Sequence, residues 1–220
     1  SNHFSICETG FGTGLNFLCT WDLWLQNSQP EEQLHFVSVE KFPIRKGDLH
    51  KILTQWPEFS QLSEQLLTQY PPMVPGWHTL HFQPDPQRGT ITLQLFFGDI
   101  NEWLPQIQGP IDAWFLDGFA PLKNPDMWGS DLFLHMKRLT RAHGTVATFT
   151  AASEVKRSLR AAGFSVIKTK GFGKKREMGY AIQTLTNGPQ EPYYINNKPW
   201  FENPILSNNP RSEEHTSELQ

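Results

Sequence analysis

The chain has 220 residues, of which 38% are hydrophobic, and a formal net charge of -3. This length and composition are typical of a single globular α/β domain. The charge excludes a polyanion binder driven by overall charge, so any nucleic-acid contact must come from a local basic patch.

The other bulk features exclude further classes. Cys7 and Cys19 are the only cysteines, which is too few for a disulfide framework or a spaced metal cluster. The histidines have no metal-ligand spacing, so we expect no metal site. No apolar run approaches the roughly 18 residues of a membrane span. We therefore expect a cytoplasmic protein without a membrane partner, and a monomer is favoured.

Both ends of the sequence need separate treatment. The chain has no initiator Met and enters a buried-looking strand almost at once, so we expect an N-terminal part of the domain to be missing. Residues 211–220 read like a translated sequencing adapter, and leaving them out gives 18 basic and 19 acidic residues. We predict a domain over residues 1–186, a linker over 187–210 and an artefact over 211–220.

Strands and helices alternate along the chain. The first half is predicted to contain strands at 4–8, 34–40 and 90–97, and helices at 13–26, 44–53, 59–70 and 100–104. The second half is predicted to contain strands at 111–116, 144–150, 165–170 and 178–185, and helices at 130–141 and 152–162. Residues 71–88 are rich in Pro, Trp and His and are predicted to form a loop.

This alternation predicts a mostly parallel sheet with helices on both faces. Ligands in such sheets bind at the carboxyl ends of the strands. An acidic residue ends or closely follows four of the predicted strands, namely Glu8, Glu40, Asp99 and Asp117. A structural account alone does not require that coincidence.

A glycine turn follows Glu8 and leads into the first helix. Gly10, Gly12 and Gly14 let the backbone approach a ligand and direct helix N-terminal amides at its anionic end. The dinucleotide fingerprint would place its third glycine at Leu15, so the spacing disfavours NAD and FAD and favours S-adenosylmethionine. A turn kept only for tight packing is the alternative.

Two further strand ends suit the same ligand. Glu40 lies where an acidic side chain accepts hydrogen bonds from ribose hydroxyls, although a solvated strand end is the alternative. Asp99 could accept from an adenine amino group, but Gly-Asp is also a common turn.

Asp117 and the aromatic residues after it suit an amine acceptor. An alkyl amine has a pKa of about 10 and must lose a proton before it attacks a methyl group. Asp117 could orient the amine and help take that proton, while Phe119 and Trp128 could stack on a base or surround a sulfonium. The alternative is that Asp117 only caps the next segment.

A basic hairpin is predicted near the C-terminal end. Lys168, Lys170, Lys174, Lys175 and Arg176 surround Gly171–Gly173, which suits contacts with RNA phosphates. A merely solvated charged turn is the alternative.

Five segments together resemble the methyltransferase domain of the MnmC family, bifunctional enzymes that make 5-methylaminomethyl-2-thiouridine in tRNA. They are residues 8–17, 39–43, 117–121, 124–128 and 171–177. The resemblance implies a Rossmann-like class I methyltransferase fold whose mostly parallel sheet carries a C-terminal antiparallel strand. It also implies N-methylation of the aminomethyl group on the wobble uridine. In that family an FAD-dependent oxidoreductase domain follows, so FAD is expected only there.

The motifs and the resemblance together give the expected site residues. Those expected to bind S-adenosylmethionine are Glu8, Gly10, Phe11, Gly12, Gly14, Asn16, Glu40, Lys41, Asp99 and Asp117. Asp117 and Phe119 are expected to be catalytic, and Asn124, Trp128, Lys174, Lys175 and Arg176 to contact the tRNA. Two other functions stay open: methylation of another amine, and tRNA binding without catalysis.

Overall fold

The computed structural model of the chain describes residues 2–116, 130–148, 153–170, 177–183, 194–195 and 198–199. The chain divides into two compact units, Ser1–Trp103 (unit 1) and Leu104–Gln220 (unit 2). None of the helices in this described part is long and apolar enough to cross a membrane.

Unit 1 is a sheet with helices between its strands. Its elements are β1 (His3–Glu8), α1 (Leu15–Asn27), β2 (Gln33–Glu40), α2 (Lys46–Leu53), a 3₁₀ turn (Pro57–Phe59), α3 (Ser60–Gln69), β3 (Gly76–Phe82), β4 (Thr90–Phe97) and α4 (Ile100–Trp103). Its strand order is β3-β4-β2-β1. Because β1, β2 and β4 are parallel, their carboxyl ends lie at one edge of the sheet. That edge is where the sequence predicts the site.

Aromatic packing holds α1 against one face of this sheet. The Phe17 ring lies 5.2 Å from the Phe36 ring of β2, and the Trp21 ring lies 4.4 Å from the Phe82 ring of β3. All four side chains are buried. Burying a large apolar side chain contributes about 1.5–3 kcal/mol, so these contacts fix the helix and the turn that precedes it.

The prediction of a loop over residues 71–88 is wrong for Gly76–Phe82, which form a strand. There the chain forms β3, which pairs antiparallel with β4 and places Gly76 opposite Phe97. Exposed Thr79 and His81 alternate with buried Leu80 and Phe82, as expected of an edge strand with one buried face. The Pro, Trp and His residues of this stretch concealed that alternation.

Unit 2 also combines strands and helices. Its elements are a 3₁₀ turn (Leu104–Gln106), β5 (Ile111–Leu116), α5 (Ser130–Leu139), β6 (Thr140–Thr148), α6 (Ser153–Ala161), β7 (Phe164–Lys170), β8 (Glu177–Gln183), β9 (Tyr194–Ile195) and β10 (Lys198–Pro199). β5 and β6 are parallel, and β8 lies antiparallel between β6 and β7. This pairing confirms the predicted C-terminal antiparallel strand. The two-residue strands β9 and β10 pair within the stretch predicted to be a linker.

β6 begins four residues before its predicted start. The pairing between β5 and β6 shifts register between Ile111 and Ala113, which leaves Asp112 opposite the irregular start of β6. There the buried Asp112 carboxylate lies 2.8 Å from Arg141 Nε. Thr140 and Arg141 therefore belong to the strand, although the sequence predicted them as the end of the preceding helix.

Candidate functional site

The candidate site of unit 1 lies where β1, β2 and β4 end. Register places Glu8 beside Ser38, and Glu40 beside Phe97, the residue that precedes Gly98 and Asp99. The three acidic residues that the sequence marks in this unit therefore follow neighbouring parallel strands.

Glu8 is a buried carboxylate with two side-chain donors. It is 1% exposed. Asn16 Nδ2 donates to Oε2 at 2.9 Å, and Ser38 Oγ donates to Oε1 at 2.8 Å. A buried charge is costly unless it is hydrogen-bonded in this way. Glu8 thus joins the end of β1 to the first turn of α1 and to β2.

The glycine turn requires glycine at two positions that lie nearest the helix. Gly12 has φ 55° and Gly14 has φ 75°, a region that L side chains rarely adopt. A Cβ on Gly14 would lie 2.7 Å from the buried Phe11 ring, whereas a Cβ on Gly12 would have nothing within 4 Å. The turn is therefore tightly packed beneath Gly14 and open at Gly12, where a ligand can approach.

The helix after the turn begins without a side-chain cap. The N-cap residue of α1 is Gly14, which has no side chain to accept a hydrogen bond from the first amides. The first turn of α1 also contains no acidic residue. The first amides of a helix lack intrahelical partners and carry partial positive charge. This end of α1 is therefore suited to the anionic part of a ligand.

Glu40 holds the turn from the neighbouring strand. Its Oε2 accepts a hydrogen bond from the Gly12 N–H at 2.9 Å, and its Oε1 accepts one from the Phe42 N–H at 3.1 Å. Its backbone carbonyl accepts the Gly98 N–H at 3.0 Å. One residue thus links the glycine turn to the segments that follow β2 and β4.

Asp99 and Lys41 form a partly exposed ion pair at the same edge. Lys41 Nζ lies 3.1 Å from Asp99 Oδ2, and the Asn101 N–H donates to Oδ1 at 2.8 Å. The Asn101 backbone bond, with a smaller contribution from Lys41, lowers the pKa of Asp99. Asp99 is therefore a carboxylate at neutral pH, able to accept hydrogen bonds.

Tyr70 and Ser38 belong to this arrangement, although neither is predicted from the sequence. Tyr70 Oη donates to the Ile44 carbonyl at 2.8 Å. Burial, together with the charge of Glu40, raises the pKa of Tyr70 to about 12. Ser38 could have been found from the sequence, because it is a polar residue within an apolar strand and lies two residues before Glu40. Nothing in the sequence distinguishes Tyr70 from an ordinary helix-end aromatic residue.

The structure brings together the predicted residues of unit 1 that it describes. They are Glu8, Gly10, Phe11, Gly12, Gly14, Asn16, Glu40, Lys41 and Asp99. The other predicted residues lie outside the described residues, namely Asp117, Phe119, Asn124, Trp128, Lys174, Lys175 and Arg176. Within the described ranges, no group of three or more His, Cys, Asp or Glu side chains could hold a metal ion.

Comparisons with known proteins agree with the predicted family. The family Methyltransf_30, described as S-adenosyl-L-methionine-dependent methyltransferase, matches residues 57–184, which is more than half of the chain. That match includes Asp99 and begins after the glycine turn.

Two curated relatives carry the name tRNA 5-methylaminomethyl-2-thiouridine biosynthesis bifunctional protein MnmC. The one from Methylobacillus flagellatus is 50% identical over 186 residues, covering 84% of this chain and 28% of the relative. The one from Ectopseudomonas mendocina is 48% identical over 202 residues, covering 92% of this chain and 29% of the relative. The chain thus spans less than a third of these relatives, and its match to them confirms the resemblance to the MnmC family.

A solved structure has the same fold. The crystal structure of MNMC2 from Aquifex aeolicus aligns with a TM-score of 0.63 at 24% identity, covering 90% of this chain and 57% of that one. This likeness, with the strand pairing inside each unit, confirms the Rossmann-like class I fold.

Proposed function

The chain belongs to the Methyltransf_30 family of S-adenosyl-L-methionine-dependent methyltransferases, and from this premise we propose that it methylates the 5-aminomethyl group of a wobble uridine in tRNA. The product is 5-methylaminomethyl-2-thiouridine. The relatives named for the biosynthesis of this nucleoside support the choice of substrate.

One observation carries the donor half of the proposal: the Glu40 carboxylate holds the amide of Gly12 in a turn that is open at that glycine. The acidic ends of β2 and β4 suit the hydroxyls and amino group of a nucleoside, and the uncapped start of α1 suits a carboxylate. S-adenosylmethionine has all of these groups, and when bound it supplies an electrophilic methyl group on a sulfonium.

Within this site, each side chain has a proposed task. Glu40 accepts from the ribose hydroxyls and Asp99 from the adenine amino group. Gly10, Gly12 and Gly14 let the backbone approach the amino-acid end of the ligand. Glu8 holds Asn16 and the turn from below, since its oxygens already accept from Asn16 and Ser38. Phe11 packs beneath Gly14, and Lys41 positions Asp99.

The acceptor half rests on residues outside the described ranges. Asp117 orients the amine and takes the proton that it must lose before it can attack. Phe119 and Trp128 stack on the wobble base, Asn124 contacts the nucleotide, and Lys174, Lys175 and Arg176 contact phosphates. Proximity and orientation supply most of the acceleration.

The FAD-dependent activity of the bifunctional family remains a prediction for a longer protein. The relatives are more than three times as long as the stretch that this chain matches. By resemblance, that second domain removes a carboxymethyl group from the same uridine. This removal exposes the amine that we propose this chain methylates.

Calorimetric titration with S-adenosylmethionine tests the donor site. Val at position 12 would strain a backbone with φ 55° and fill the open side of the turn. We expect Gly12→Val to lower the affinity at least tenfold. Gly163→Val is the matched control, because Gly163 also has a positive φ and open space around it but lies after α6. Unchanged affinity in Gly12→Val would contradict the site.

A further inference from the structure

The segment that follows Glu40 carries an exposed cluster of cations and one exposed aromatic ring. Between residues 41 and 51 there are four basic residues and a single acidic one, Asp48. Lys41 is paired with Asp99. The remaining cations are Arg45, Lys46 and Lys51, and all three are exposed. We call Phe42, Arg45, Lys46 and Lys51 the α2 surface.

The cations of the α2 surface have no carboxylate partner among the described residues. The two ion pairs found there are Lys41–Asp99 and Arg141–Asp112. Arg45 and Lys46 stand at the N-cap and the first position of α2. That end of a helix carries partial positive charge, so cations there reduce the stability of the helix. A placement that local stability disfavours suggests a partner outside the unit.

Phe42 adds a second, independent observation. Its side chain is 72% exposed, the largest exposure among the large apolar side chains of the described part. Its backbone N–H is held by Glu40 Oε1, so the residue has a defined position beside the candidate site. Three more exposed apolar side chains of unit 1, Met73, Val74 and Trp77, lie just before or at the start of β3. β3 begins opposite Phe97, at the same edge of the sheet.

A hydrogen bond and a ring contact of Tyr70 place the start of α2 at this edge. Tyr70 donates to the Ile44 carbonyl, and its ring lies 6.2 Å from that of Phe97 at the end of β4. Arg45 follows Ile44 directly. Arg45 and Lys46, which begin α2, therefore lie beside the edge where the proposed methyl donor binds, which any acceptor must reach.

We infer that the α2 surface binds the RNA backbone next to the acceptor nucleotide, with Arg45, Lys46 and Lys51 on phosphates and Phe42 stacked on a base. Single-stranded nucleic acid offers both phosphates and base faces, so it suits a segment that combines an exposed aromatic ring with cations that have no carboxylate partner among the described residues. A protein partner would need a carboxylate opposite each of these cations, whereas an RNA backbone supplies a phosphate at every nucleotide. The inference rests on the proposed function, which supplies the RNA. It adds a contact region to the one predicted from the sequence at residues 168–176.

Fluorescence anisotropy with a labelled anticodon stem–loop RNA tests the cationic part. In the full chain, the double variant Arg45→Ala/Lys46→Ala should bind this RNA at least tenfold more weakly at moderate salt. Its slope of log affinity against log salt should fall by about two, since each lost phosphate contact removes about one. The control is Lys137→Ala/Arg138→Ala, which removes the same charge from the exposed last turn of α5 and should behave like the unsubstituted chain.

RNA binding by two Phe42 variants tests the aromatic part of the α2 surface. Phe42→Leu keeps an apolar side chain but loses the ring, so RNA affinity should fall about tenfold without a change in the salt slope. Phe42→Tyr should restore the affinity. In both variants the affinity for S-adenosylmethionine should be unchanged. Loss of S-adenosylmethionine affinity with unchanged RNA affinity would overturn the assignment of Phe42.

The outcomes separate this inference from the proposed function. If the cation variant binds RNA like its control while the unsubstituted chain still methylates aminomethylated tRNA, the α2 surface is overturned and the proposed function stands. If the unsubstituted chain binds S-adenosylmethionine but neither binds nor methylates RNA, both are overturned.

Discussion

Glu8 shows how one buried residue can stabilise a site. Both of its oxygens accept hydrogen bonds from side chains of neighbouring elements, Asn16 in α1 and Ser38 in β2. We expect Glu8→Gln to lower the free energy of unfolding by about 1–3 kcal/mol, because an amide NH₂ would face a donor in the buried site. Urea denaturation measures this loss. Ser38→Ala, which removes one of the donors, should have a smaller effect.

The Glu8→Gln substitution should also reduce the affinity for S-adenosylmethionine, since Glu8 supports Asn16 and the glycine turn. A Glu8→Gln variant with the stability and affinity of the unsubstituted chain would contradict the supporting role.

Tyr70 gives a prediction for alkaline pH. Burial and the nearby Glu40 charge raise its pKa from 10.0 to about 12 in the folded chain. Because the folded pKa exceeds the unfolded one, the stabilising contribution of Tyr70 is complete below pH 10 and is lost as pH rises toward 12. The difference in unfolding free energy between the unsubstituted chain and Tyr70→Phe should therefore shrink over this range. Urea denaturation at several pH values measures it, and a constant difference would contradict the raised pKa.

At the scale of elements, Asp99 caps the short helix α4 as well as lining the candidate site. Its Oδ1 accepts the Asn101 N–H, as an N-cap side chain does. We expect Asp99→Ala to cost about 1 kcal/mol of stability by urea denaturation, while Asp99→Ser retains most of it. Both variants should bind S-adenosylmethionine more weakly, because neither carries a carboxylate. If Asp99→Ser restored the affinity fully, Asp99 would be a cap alone.

The elements differ in how well their sequences predict them. The boundaries of α1, β2 and β4 are predicted within two residues because their apolar periodicity is strong and their ends are marked by glycine or acidic residues. β3 is missed because an edge strand exposes every second residue, and here the exposed residues include Trp and His. The early start of β6 is missed because strand pairing with β5 overrides local composition.

The candidate site is predictable for a related reason. In a parallel sheet, residues that end successive strands meet at one edge, so Glu8, Glu40 and Asp99 could be grouped without a structure. The hydrogen bonds from Gly12 to Glu40 and from Ser38 to Glu8 could not, because they depend on which way each side chain turns. The basic residues of the α2 surface can be read from the sequence, but their exposure and the lack of carboxylate partners among the described residues cannot.

At the scale of the whole molecule, charge is distributed unevenly around a net value of -3. Acidic side chains gather at the strand ends of unit 1, while α2 and the residue before it carry cations without a carboxylate partner in the part of the chain that the structure describes. Acidic groups suit the hydroxyl and amino donors of a nucleoside, and cations suit the phosphates of RNA. This distribution is what we expect if the chain carries out the proposed methyl transfer from a small nucleoside donor to RNA.

Methyl transfer to defined tRNAs tests the central claim most directly. The chain is incubated with S-adenosylmethionine carrying a tritiated methyl group and a tRNA bearing 5-aminomethyl-2-thiouridine, or the same tRNA with unmodified uridine. We predict that radioactivity enters only the aminomethylated tRNA, and that Asp117→Ala binds the donor but transfers no methyl group. No incorporation, or equal incorporation into both tRNAs, would contradict the proposed function, and normal transfer by Asp117→Ala would contradict its catalytic role.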